Sequence, residues 1–199
     1  MKLYYSPPSP FSRKARIVAS VLGLDDRIEL VVADTNDPNG ALRAKNPLGK
    51  IPTLERDDGS CVYDSAVIVA CLDALAVGGK VIPADLEARI AALTLEALAD
   101  GLMDACILQI YEIRMRAENE RSPNWVAYQQ AKVLRALATL EAAPPSEDFG
   151  KIGQIATACA LGYLDFRFEG AWRADHPRLV AWLDRFAAAI PAFAATKAG

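Results

Sequence analysis

The stretch Asn46-Pro47-Leu48-Gly49-Lys50-Ile51-Pro52-Thr53-Leu54-Glu55, with the turn Asp57-Asp58-Gly59 and the run Ser60 to Tyr63 behind it, decides the fold. Pro52 to Glu55 and Ser60 to Tyr63 read as the arms of a β-hairpin, because an Asp-Gly pair tolerates the positive φ of a tight turn. Pro52 stands directly before the first arm and lacks a ladder donor, so it fits an edge, a bulge or a cis turn. A cis bond there would leave the backbone of Ile51 free to pair with a bound peptide. Downstream, Ser65 to Leu75 reads as a helix that Asp64 or Ser65 can cap. Upstream, Lys2 to Tyr5 reads as a short strand and Ser6 to Pro10 as a proline-rich turn. Phe11, Ala15, Val18 and Leu22 then keep helical spacing until Gly23. Ile28 to Ala33 is a compact β-branched run. After a strand and a helix it implies a parallel βαβ unit, followed by a loop or weak helix over Asp34 to Ala44.

Residues 1–76 therefore read as βαβ-α-ββα, 77–84 as a linker marked by Gly78-Gly79, and 85–199 as an all-helical domain. From Asp85 onward only helical periodicities occur: Leu86, Ile90, Leu93 and Ala97 in one helix, and Val126, Val133, Leu137 and Leu140 in another. Ser122-Pro123 is a helix start, with the serine as cap and proline at the first helical position. Pro144-Pro145 closes that helix. Two more are expected over Ile152 to Phe168 and Pro177 to Ala189.

Composition narrows the function. The 199 residues are 52% hydrophobic and 24% charged, which is the balance of a folded core rather than of disorder. A formal net charge of −3 lacks the basic footprint of a nucleic-acid binder. The apolar runs Ala66 to Leu72 and Ala105 to Ile110 fall far short of a bilayer span, and Met1 to Lys14 has no signal-like apolar stretch, so the cytoplasm is the expected compartment. Cys61, Cys71, Cys106 and Cys159 are widely spaced and read as reduced core residues. His176, the one histidine, stands before Pro177 and the pattern Leu179, Leu183, Phe186, so it reads as a helix entry. No metal site is expected.

Three short motifs carry chemistry. Ser9-Pro10-Phe11-Ser12 lies between the first strand and the first helix, where outward-facing N–H groups favour negative charge. The Ser9 hydroxyl can stabilise a thiolate there by one charge-assisted hydrogen bond, worth about 1.5 to 3 kcal/mol, or one to two pKa units. Ser9 or Ser12 can equally serve as a plain cap. The backbone of Ile51 is the second motif. Asp64-Ser65 is the third: a carboxylate for an ammonium group beside a helix start for a carboxylate, which together match an amino-acid head group.

Taken in order, Ser9, Asn46 to Leu54 and Asp64-Ser65-Ala66-Val67-Ile68 resemble the glutathione S-transferase family, and the resemblance extends through Ile82-Pro83-Ala84-Asp85 and the helical remainder. It implies a thioredoxin-like first domain, a helical-bundle second domain, glutathione as co-substrate, a small-molecule electrophile and a homodimer. It also implies Ser9 for the sulfur, Phe11 at the pocket wall, Ile51 for the cysteinyl unit, cis Pro52 as architecture, and Lys50 for the glycyl region. Asp64 and Ser65 fall to the γ-glutamyl end, and Asp100 to the glutathione amine of a second copy, although a solvated helix face explains Asp100 as well. Tyr111, Met115 and Phe166 join Phe11 as candidate pocket walls. The implied activity is attack of the glutathione thiolate on a hydrophobic electrophile, or hydroperoxide reduction. The alternative is a non-enzymatic protein-binding module of the same fold. The chain departs from the family at Asp64, where Glu or Gln is usual, and at Lys151-Ile152-Gly153-Gln154, where a capping box is usual and Lys151 cannot accept from an N–H.

Overall fold

A computed structural model describes residues 1–198. Strand β1 (Lys2–Tyr5), helix α1 (Pro10–Val21) and strand β2 (Glu29–Val32) form the expected parallel unit, with Leu3 opposite Leu30. A short helix α2 (Ala41–Lys45) occupies the segment read as loop or weak helix. Strand β3 (Thr53–Glu55) runs antiparallel to β1, β4 (Cys61–Val62) antiparallel to β3, and α3 (Ser65–Leu75) follows. The sheet order is β2-β1-β3-β4, and the half is thioredoxin-like. The second hairpin arm is two residues rather than four, because Gly59 at φ +82° closes the turn and the chain leaves the ladder at Tyr63.

The helical half comprises α4 (Leu86–Met115), α5 (Pro123–Ala142), α6 (Ile152–Arg167), α7 (Pro177–Ala189) and the short α8 (Ala192–Ala195). Ser122 caps α5 as its sequence requires, its hydroxyl accepting from the Trp125 N–H at 3.3 Å. His176 sits at the entry to α7. Helix α6 is the spine, buried continuously from Ile152 to Leu161. Its Gly153 lets α4 come close: a Cβ there would stand 2.8 Å from Leu95 and 2.9 Å from the Ala92 carbonyl. Lys151 makes no capping bond with its side chain. Its ammonium instead reaches the Lys80 carbonyl at 2.7 Å, and the Ile152 N–H donates to the Val81 carbonyl, so the segment after α3 does the work of a cap.

That segment is held by one buried carboxylate. Asp73 accepts from the N–H groups of Gly79, Lys80 and Val81 at 2.8–3.1 Å, while Val77, Gly78 and Gly79 all take positive φ.

The expectation for the cysteines needs correction, and the direction of one helix is a new finding. The stripe Leu86, Ile90, Leu93 and Ala97 marks a helix as its spacing implies, and it faces outward: Leu86 is 65% and Ile90 51% exposed. The buried face of α4 is instead Ala92, Glu96, Ala99, Leu102 and Met103, whose small or charged members hide it from a hydrophobicity reading. All four cysteines carry free thiols, yet only Cys106 and Cys159 are core residues, and burial pushes both thiols up to about 12. Cys61 and Cys71 are half-buried.

Candidate functional site

The turn from β1 into α1 places Ser9 at the helix cap. Its N–H donates to the Ser6 carbonyl at 3.0 Å, and its Oγ accepts from the Ser12 N–H at 3.2 Å. Pro10 at the first helical position has no N–H, and no acidic residue occupies the first turn, so the Phe11 N–H and the helix dipole face outward without a built-in anion. Ser12 is no substitute for Ser9: it is 1% exposed and its hydroxyl finds no partner among the described residues.

The loop before β3 is shaped by Asn46, itself 1% exposed. The Asn46 amide donates to the Lys50 carbonyl at 3.0 Å and to Thr53 Oγ1 at 3.1 Å, and its oxygen accepts from the Leu48 N–H at 2.9 Å. The Thr53 hydroxyl is a second donor to the Lys50 carbonyl, at 2.9 Å. Both residues lie in the quoted motif, but sequence alone gave them no role. Their network presents Lys50 and Ile51 to solvent while the Ile51–Pro52 bond is cis. Neither the N–H nor the C=O of Ile51 pairs with another described residue, so an extended edge remains free for a ligand's backbone.

Between the two halves lies a cleft of about 880 Å³. Ser9, Phe11, Lys50 and Ile51 line it from the first half, and Asp104, Tyr111 and Arg114 on α4, Gln129 and Lys132 on α5, and Tyr163 and Arg167 on α6 from the second. A second cavity of about 500 Å³ shares Pro8, Ser9, Pro10 and Tyr163 with the cleft and includes Phe166, Arg13 and Cys159. Of the expected pocket walls, Phe11 and Tyr111 border the large cleft and Phe166 the smaller cavity. Met115, 63% exposed, borders neither.

Pro52, Asp64, Ser65 and Asp100 do not line the cleft. Asp64 is exposed at the start of α3, where its carboxylate accepts from the Ala66 N–H at 3.1 Å, and Ser65 is 4% exposed. Asp100 is not on a solvated face. Its carboxylate holds Lys14 Nζ at 2.7 and 2.9 Å, and Glu96 takes the same ammonium at 2.8 Å. Lys14 is fully buried. Burial raises the Asp100 carboxyl to about 6 although Lys14 pulls the other way. The acid of α4 that does reach the cleft is Asp104, one turn on. Burial pushes its carboxyl up, the Lys50 ammonium opposes that, and Asp64 reinforces it. Asp104, Arg114, Gln129, Lys132 and Arg167 went unread in the sequence because they lie on three separate helices with no shared motif.

Comparison with known proteins gives consistent results. The family model for the glutathione S-transferase N-terminal domain matches residues 8–75. The uncharacterized GST-like protein YibF of Escherichia coli K12 is 33% identical over 185 residues, covering 90% of each chain. A glutathione transferase family member from Pseudomonas fluorescens Pf-5, solved with bound glutathione, superposes with a TM-score of 0.90 at 41% identity and covers 100% of this chain and 98% of its own. A structure of a family member from the same organism, with bound S-(propanoic acid)-glutathione, gives 0.89 at 41% identity with full coverage of both chains.

Proposed function

The chain belongs to the glutathione S-transferase family, and from that premise we propose that it is a glutathione-dependent enzyme whose Ser9 hydroxyl stabilises the thiolate of glutathione for attack on a small electrophile. The observation that carries this reading is the shared cleft: Ser9 at a helix start without acidic residues lies beside Lys50 and the unpaired backbone of Ile51. A tripeptide can pair its cysteinyl unit with Ile51, which brings the sulfur toward the one hydroxyl at the helix start. A solved relative with bound S-(propanoic acid)-glutathione supports conjugation over hydroperoxide reduction, because its ligand is a sulfur-substituted glutathione. A pure protein-binding module would have no use for this arrangement. A generic aryl halide assayed with glutathione, beside a hydroperoxide, tests the reading. Turnover of the aryl halide is expected, and absence of turnover with both would sink it.

Asp64 and Ser65 at the start of α3 are proposed to take the γ-glutamyl head. Because Asp64 is exposed, its pair with the ammonium is worth about 1 kcal/mol, so Asp64→Ala should weaken glutathione binding about five-fold. If Asp64 is only a helix cap, glutathione affinity stays unchanged and melting temperature alone falls. Calorimetric affinity and melting temperature on one mutant separate the two.

The outward stripe Leu86, Ile90 and Leu93 on α4, with Val67 on α3 also exposed, supports a homodimer, since such a patch on a stable protein needs a cover and a two-fold contact is the commonest closed one. Sedimentation at micromolar concentration should give a dimer mass that Ile90→Glu reduces toward the monomer. A monomeric wild type would contradict the assembly.

A further inference from the structure

Resting on the transferase reading above, we propose that the electrophile this site takes carries a carboxylate, held at the helical end of the cleft by Arg114, Lys132 and Arg167. The three cations come from α4, α5 and α6 and line one cleft. Among the described residues none of them pairs with a carboxylate: the ion pairs of the helical half use Lys14, Arg116, Lys151, Arg173 and Arg185 instead. The Lys132 ammonium meets only the Gln129 side-chain Oε1, at 3.1 Å, and the Tyr128 ring. The Arg167 guanidinium lies 4.1 Å over the Phe166 ring, and its buried Nε has no acceptor.

Gln129 is a second, independent sign. It is 0% exposed, lines the cleft, and its Nε2 donor also lacks an acceptor. Buried donors are nearly always satisfied, so two orphaned donors beside one cleft ask for ligand oxygens. The cluster is not a by-product of a basic chain, because acidic residues outnumber Lys and Arg by 25 to 22. Among the described residues, neither acid that lines the cleft forms an ion pair with the three cations: Asp104 feels the charges of both Lys50 and Lys132 but contacts neither as an ion pair, and Asp34 accepts from the Asn36 N–H at 2.8 Å. The carboxylates of glutathione itself are accounted for by Lys50 and the start of α3, which leaves the helical cations for the second substrate. Ile107, Leu108 and Tyr111 line the same cleft and can hold its carbon body.

The test uses 4-chloro-3,5-dinitrobenzoate beside 4-chloro-3,5-dinitrobenzamide. With either, the glutathione sulfur bonds to the chlorine-bearing carbon and chloride leaves with the C–Cl electron pair, the thiol proton having passed to solvent. Normalised to the uncatalysed rates, kcat/KM should favour the benzoate by about ten- to a hundred-fold, the effect of one or two charge-assisted hydrogen bonds. In Arg114→Gln/Lys132→Gln that ratio should fall toward one, and Lys132→Gln alone should lower it part of the way. Equal rates in the wild type, or a ratio unmoved in the double variant, would overturn the inference. Calorimetric binding of unreactive 3,5-dinitrobenzoate against 3,5-dinitrobenzamide to the glutathione-saturated protein reads the same discrimination without turnover. A benzoate preference in binding with no turnover of either chloride would therefore overturn the transferase reading and leave the anion site standing, whereas no preference in binding overturns the anion site itself.

Discussion

Lys14→Met is expected to destabilise the fold by about 3–5 kcal/mol, the cost of leaving buried charge without its partner. Lys14 is fully buried and is the one cation shared by Glu96, whose side chain is 6% exposed, and Asp100, at 22%. Its removal leaves two carboxylates one turn apart on the same face of α4 with no counter-charge between them. Burial works against the Lys14 charge, but Asp100 and Glu96 outweigh it and the ammonium is held above its ordinary value of 10.5. Glu96→Gln and Asp100→Asn added to Lys14→Met should recover a large part of the loss, because the neutral set needs no counter-charge. Chemical denaturation measures both, and a loss under about 1 kcal/mol for the single variant would contradict the clamp.

The same cluster sets a pH dependence. Folded Asp100 keeps its proton up to about 6, whereas the unfolded chain releases it at 3.8. The folded state binds the extra proton between those values, so this group's contribution favours the fold at low pH and is lost as pH rises through about 6. Asp100→Asn should flatten that part of the stability curve. The clamp matters for function as well as for stability, because it ties α1, which carries Ser9 and Phe11, to α4, which carries Asp104 and Tyr111.

Ser9→Ala should lower kcat/KM for conjugation by about ten- to a hundred-fold at neutral pH, the share of one hydrogen bond to a thiolate. Glutathione affinity should change little, since Ile51, Lys50 and the start of α3 hold the rest of the tripeptide. Because Ser9 also caps α1, some stability is lost too, about 1 kcal/mol. Ser9→Asp keeps a good cap but offers the sulfur no donor, so it should restore melting temperature without restoring rate. If Ser9→Asp and wild type conjugate equally well, the hydroxyl has no part in activating the thiol.

Much of this was legible in the sequence where a local rule was strong. The Asp-Gly turn, the run Ile28 to Ala33 and the Ser122-Pro123 start each obey a constraint of a few neighbouring residues, and the structure places a turn, a strand and a helix there. Ser9, Ile51 and Lys50 stood in motifs and do share the cleft. What stayed hidden depends on distant partners. A lysine in a helix reads as solvated, and only α4 packed on α1 shows that Lys14 is buried between Glu96 and Asp100. The direction of α4 was unreadable for the same reason: over its first half the inner face is Ala92, Glu96 and Ala99, while Leu86, Ile90 and Leu93 face outward. The cations of the cleft sit at Arg114, Lys132 and Arg167, far apart in the chain, and only the packing of α4, α5 and α6 brings them to one wall.

The central claim is that Ser9 lowers the pKa of a bound thiol, and the direct measurement is the ultraviolet thiolate absorbance of enzyme-bound glutathione titrated against pH in wild type and Ser9→Ala. The wild type should ionise glutathione about one to two pH units below the free tripeptide, and the alanine variant should move the midpoint back up by most of that shift. Glutathione that binds the wild type with the midpoint of the free thiol, or with a midpoint that Ser9→Ala leaves in place, would contradict the account.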